Sequence, residues 1–306
     1  MGEARPVDFI ANDRKPSPKT KATPHESYDG SEAPAAPRED GHDPRPLRAR
    51  PRPFSAENIT LLPQQQEVLD IVRVHCQQGG FCLIVGEPGT GKSVLKRALC
   101  GYDPKRLMTP VVNRTLHTYH STLRILCEAF QIEAEGHDVR CERRLIAEAR
   151  RLNAAGKMLA PIIDDAHLMD VTNLRKIRLL FEDFPNNTCL VLVAQPELLQ
   201  SLALIVNEDL KNRVTYSVLL KKLAPDSIAD FIRTELDKVA LSHGTFTDDA
   251  LGLIVRSSEG GLRKARNLCL GALLEAVRDR TKSVDLKHVN RVLLMPHWRK
   301  EADLPQ

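Results

Sequence analysis

The chain has 306 residues, 42% hydrophobic and 27% charged, with a formal net charge of +4. That length allows one large domain or two modest ones, and the apolar fraction is enough for a sizeable core. So mild a positive balance, with acids interleaved among the lysines and arginines, permits contact with nucleic acid without arguing for it; the absence of about 18 consecutive apolar residues excludes a membrane span.

Residues 1–53 hold half of the chain's 20 prolines, together with mixed charges and few large apolar side chains. Such a segment buries too little surface to offset its ordering entropy, so a disordered arm is expected. It closes on Arg45, Arg48, Arg50 and Arg52, which suit either a solvated linker or an arm touching a phosphate backbone. The first residues lack the charged-then-apolar pattern of a leader, so a cytoplasmic location is expected.

From Phe54 the character changes, and an α/β domain is expected over 54–222. Val68, Leu69, Ile71 and Val72 give helical spacing to 61–74, and the apolar run 81–85 reads as a buried strand. Directly after it stands Gly86-Glu87-Pro88-Gly89-Thr90-Gly91-Lys92-Ser93. This is G-x-x-x-x-G-K-[ST] in its strand–turn–helix setting, so all eight residues are expected to bind a nucleotide. The glycines let successive N–H groups turn inward around phosphate oxygens, and the helix starting near Lys92 adds its positive end. Lys92 supplies a charge for the β- and γ-phosphates, and Ser93 a hydroxyl for Mg²⁺, making ATP and Mg²⁺ the expected cofactors.

A short strand is expected over 106–112, helices over 122–132 and 142–153, and an apolar strand over 158–163 ending in Asp164 and Asp165. That strand delivers Asp164 beside the glycine loop, where it can hold Mg²⁺ through water, and places Asp165 to polarise the attacking water. A helix over 173–184 precedes a buried strand over 188–194, and Gln195 at its tip is either a turn residue or a contact to the γ-phosphate or water. Arg213 ends a helix before a fifth strand at 214–220. Alternation of apolar strands with helices means a parallel sheet covered on both faces.

After Pro225 only helical patterns remain, so a small helical lid is expected over 223–296, with a tail at 297–306. Thr247 reads as a helix cap, and Gly260-Gly261 separates two helices, the second beginning near Arg263. Seven scattered cysteines form no C-x-x-C pair and read as small core residues.

Taken in order, these parts resemble an AAA+ ATPase, and most closely the ExeA/GspA-like family, itself similar to TnsC/TniB-type transposition ATPases. The residues that carry this are Pro53-Phe54-Ser55, Gly86 to Ser93, Ile162 to Ala166, Gln195-Pro196-Glu197-Leu198, Asn212-Arg213-Val214 and Gly260 to Arg263. The resemblance implies a five-stranded P-loop sheet with a helical lid and self-association into rings or filaments. It implies that Arg213 reaches a neighbouring copy's γ-phosphate and that Arg263 reports ATP occupancy to the lid; ordinary surface ion pairs are the other reading of both. It also implies a DNA-transposition helper that assembles on double-stranded DNA and regulates a transposase. The end of the chain soon after the lid is expected to favour that role over the alternative, assembly of a secretion apparatus. Asp165 stands where the family carries Glu, so slow turnover, or an ATP-gated scaffold, is also expected.

Overall fold

The computed structural model describes residues 53–54, 61–113 and 118–298. The expected disordered arm up to residue 52, with its arginines, and the tail from residue 299 lie outside the described residues. The first element among the described residues is α1 (Pro63–Gln78), whose Pro63 sits in the first turn, where a missing N–H costs nothing. Then come β1 (Gly80–Gly86), α2 (Lys92–Tyr102), β2 (Leu107–Met108), β3 (Val111–Val112), α3 (Tyr119–Ala129) and α4 (Asp138–Ala154). β4 (Met158–Leu159), β5 (Ile162–Ile163), α5 (Val171–Glu182), β6 (Cys189–Ala194), α6 (Glu197–Ala203), α7 (Glu208–Lys211) and β7 (Tyr216–Leu220) complete the core.

The five-stranded sheet runs in the order β3-β5-β6-β1-β7, with every pair parallel. β6 lies between the strand that carries the glycine loop and the strand that ends in Asp164, which brings three strand tips to one edge. Alternation along β1 covers both faces. Phe81, Leu83 and Val85 share a core with residues of α3, α4 and α5. Cys82 and Ile84 share another with α1 and α2.

The single strands expected at 106–112 and 158–163 are each divided. β2 pairs with β4 in a separate two-stranded ladder, while β3 and β5 join the main sheet. The breaks fall at Thr109-Pro110 and Ala160-Pro161. Neither proline can donate to a ladder, yet both carbonyls still accept, from Ile162 N and Val191 N at 2.8 and 2.9 Å. The two segments therefore keep their direction while the pairing is interrupted.

After β7 the chain forms α8 (Pro225–Lys238), α9 (Asp248–Ser258), α10 (Leu262–Arg278) and α11 (Leu286–Leu293). Thr247 caps α9, its hydroxyl accepting from Ala250 N at 3.3 Å. Ile228, Ile232, Ile254, Leu268 and Val289 form the centre of this bundle. Phe54 is seated in the same core, edge-on to Phe246 with centroids 6.2 Å apart. Core and bundle fall together in one unit, Ala49–Gln306. Among the described residues, no helix is long and apolar enough to cross a membrane.

Candidate nucleotide site

Between the glycine loop, the tips of β5 and β6, and the start of α10 lies a cavity of about 480 Å³. That volume is in the range of small-molecule pockets. Pro88, Gly89, Gly91, Lys92 and Ser93 line one side, Asp164, Asp165 and Gln195 another, and Leu262, Arg263 and Arg266 a third. Four separate stretches of sequence therefore converge on one space. Gly86, Glu87 and Thr90 complete the loop without lining the cavity.

Two glycines of the loop answer to the packing around them as well as to their own backbone. Gly89 has φ +86°, and a Cβ there would lie 3.3 Å from the Cβ of Arg263. Gly91 has φ +100°, and a Cβ there would sit 2.0 Å from the side-chain nitrogen of Gln65 and 3.2 Å from Leu262 Cδ1. Positive φ and close approach both require glycine. The loop is thus wedged between α1 and α10.

Lys92 turns its ammonium onto the loop carbonyls, Gly86 O and Glu87 O, the latter at 2.9 Å. Burial lowers its pKa below the ordinary lysine value, with Arg263 adding to the effect; Asp165 and Asp164 oppose it. Glu87 points away and pairs with Lys222 at 2.7 Å, which raises the Lys222 pKa.

Asp164 is fixed by its backbone, whose N–H donates to Val112 O at 3.0 Å across the β3–β5 ladder. Its carboxylate pairs with Lys96 and accepts the Asp165 N–H at 3.1 Å. Lys96 also donates to Asn113 Oδ1 at 2.9 Å. Asp165 has φ +50°, a left-handed backbone in which Asp is enriched over most non-glycine residues. The side-chain nitrogen of Gln195 lies 2.8 Å from His167 Nε2, and His167 Nδ1 is buried without a hydrogen-bond partner.

Arg213 is elsewhere. It borders a small cavity of about 150 Å³ with Gly80, Phe81 and Thr188, at the opposite end of β1 from the glycine loop. β1 is seven residues long, which puts its two ends roughly 20 Å apart. There Arg213 lies 3.5 Å from Glu182, which accepts from Arg178 at 2.5 Å. Its side chain is 64% exposed.

Lys96, His167 and Gln65 were not legible as site residues. Lys96 does carry a signal, since it lies one helical turn after Lys92 and so on the same face. His167 follows closely on the acidic pair. Nothing local marks Gln65, because its contact is made 25 residues away.

The donor set suits a magnesium polyphosphate. Ser93 and Asp164 offer hard oxygen ligands, and Lys92, Arg263 and Arg266 offer positive charge on the facing walls. Ser93 and Asp164 would hold the ion, which would supply positive charge against the negative charge of the phosphates.

Comparison with known proteins agrees with this geometry. Residues 74–202 match the family model described as AAA domain. Over 206 residues the chain is 29% identical to General secretion pathway protein A of Aeromonas hydrophila, covering 65% of this chain. It spans only 37% of the length of that relative. Among solved structures, it resembles Cdc6p of Pyrobaculum aerophilum with a TM-score of 0.61 at 17% identity, over 76% of this chain and 67% of that one. The Aeropyrum pernix ORC2 protein gives a TM-score of 0.64 at 15% identity over 79% and 71%. The RuvB Holliday junction branch migration motor of Thermotoga maritima gives 0.53 at 15% identity over 80% and 72%. The protein therefore has the AAA-type P-loop NTPase fold, a parallel five-stranded sheet flanked by helices and followed by a helical region, with an AAA domain recognised over residues 74–202.

Proposed function

We propose that the cavity binds Mg²⁺-ATP and that the protein hydrolyses it. The observation that carries this reading is the meeting of Lys92, Asp164, Asp165, Gln195 and Arg263, from separate segments, around one cavity. Lys92 and the loop N–H groups hold the phosphates. Ser93 and Asp164 hold the ion, Asp165 orients the attacking water, and Gln195 and Arg263 contact the γ-phosphate side. Arg213, some 20 Å away along β1, is too far to serve its own cavity and suits a neighbouring copy's nucleotide. Rings or filaments of head-to-tail copies would supply that geometry.

As for the process, the likeness to General secretion pathway protein A supports an ATPase that assists assembly of a secretion apparatus. A second reading, a DNA-transposition helper working with a transposase, rests on the motif resemblance. It is favoured by the exposed Arg278, Arg280 and Lys282 where α10 ends. Turnover measured with and without duplex DNA across a salt series separates the two. The DNA reading requires ATP-dependent binding that weakens steeply with salt. Absence of DNA binding in ATP at low salt removes it and leaves the secretion reading.

A further inference from the structure

Gln65 is only 3% exposed, in the first turn of α1, and both ends of its amide are engaged. Its Oε1 accepts the Leu62 N–H at 3.1 Å, and its Nε2 reaches the carbonyl of Thr90 at 3.4 Å. The orientation is forced, because a backbone N–H can only donate and a carbonyl can only accept. The Thr90 carbonyl and the Gly91 N–H belong to one peptide plane. In a trans peptide these two groups point in opposite directions. Holding the carbonyl toward α1 therefore turns the Gly91 N–H the other way. Thr90 is buried at 4% exposure, whereas Gly91 lines the cavity.

We infer that Gln65 is a positioning residue for nucleotide binding: by gripping the Thr90 carbonyl it aims the Gly91 N–H at the bound phosphate chain. This rests on the cavity being a nucleotide site, and it adds a residue outside the glycine motif to that site. The same amide crowds residue 91, its nitrogen lying 2.0 Å from where a Cβ would stand, on a backbone whose φ of +100° already calls for glycine. A peptide free to rotate would have to be reoriented at each binding event, and that cost would appear as lost affinity. Because the N–H meets the phosphate chain and not the attacking water, the effect falls on binding more than on the chemical step.

The test uses two variants of the full chain. Gln65→Glu keeps an acceptor for Leu62 N–H but sets a carboxylate oxygen against the Thr90 carbonyl. Gln65→Met keeps the shape and makes neither bond. Affinities for fluorescent ATP and ADP analogues are measured with Mg²⁺, together with KM and kcat and the melting temperature of the nucleotide-free protein. Gln65→Glu should bind both nucleotides about tenfold more weakly, KM rising by the same factor while kcat changes less than about threefold. Gln65→Met should show the same split, and it decides the matter if the carboxylate prevents folding. Wild-type affinity in folded Gln65→Glu, or in folded Gln65→Met, would overturn the inference, because Gln65 would then serve only the helix cap. No nucleotide binding by the wild-type chain would remove the site reading itself.

Discussion

The Lys96 ammonium is paired with the Asp164 carboxylate, joining the second turn of α2 to the tip of β5. Both side chains are largely shielded, at 14% and 17% exposure, so the pair is screened far less than a surface salt bridge. The carboxylate proposed to hold the metal is therefore already partnered by a cation.

A cation beside a metal site opposes the ion by simple repulsion. Lys96→Met should lower the Mg²⁺ concentration for half-maximal turnover by roughly fivefold, about 1 kcal/mol. A Mg²⁺ titration of the ATPase rate reads this directly. A rise in that concentration would mean that Lys96 serves mainly to orient Asp164.

The acidic pair divides its labour in the proposed mechanism. Asp165→Asn should leave ATP affinity within about twofold and reduce turnover by roughly 10²–10⁴-fold, the usual span for a general base. Single-turnover rates at saturating ATP measure it, and equal turnover would show that Asp165 is not the base. Asp165→Glu tests the shorter side chain: Glu259 adopts the same left-handed backbone at φ +50°, so the extra methylene should fit, and turnover should rise if reach to the water limits the rate.

The pH dependence follows from Lys92. Burial lowers its pKa in the nucleotide-free protein, so the ammonium is lost at lower pH than in an ordinary lysine. Phosphate binding favours the charged form and raises that pKa, so binding takes up a proton in the alkaline range. ATP affinity should therefore be flat near neutrality. It should fall as pH rises from the free-state Lys92 pKa toward the ordinary lysine value. In Lys92→Arg, which stays charged, the fall should vanish; calorimetric titrations in buffers of different ionisation enthalpy would show the proton uptake.

Arg213 should matter only in assemblies. Arg213→Ala should reduce turnover by roughly 10³-fold at concentrations where copies associate, and leave the dilute rate unchanged. An equal loss in dilute monomer would refute a role in trans. The roughly 20 Å along β1 already excludes direct contact with its own cavity.

Much of the sheet was readable because its strands are buried on both faces and so appear as unbroken apolar runs, as in 81–85 and 188–194. The placement of Asp164, Asp165 and Gln195 followed from that, since each ends a parallel strand at the same edge. The proline breaks at 110 and 161 were missed because apolar runs hide a lost N–H. Lys96, His167 and Gln65 act through contacts between elements distant in sequence, which periodicity cannot show. Arg263 was marked by a glycine pair before a helix and by the resemblance those residues carry. Its closeness to Gly89 emerged once the loop and α10 were seen wedged together.

The most direct measurement is the affinity of the purified chain for Mg²⁺-ATP, by calorimetry, alongside Lys92→Ala. Saturable one-to-one binding should be seen in the wild type and should weaken by roughly a hundredfold in the variant, about 2.7 kcal/mol. Equal affinity in both proteins would contradict a nucleotide site at the glycine loop.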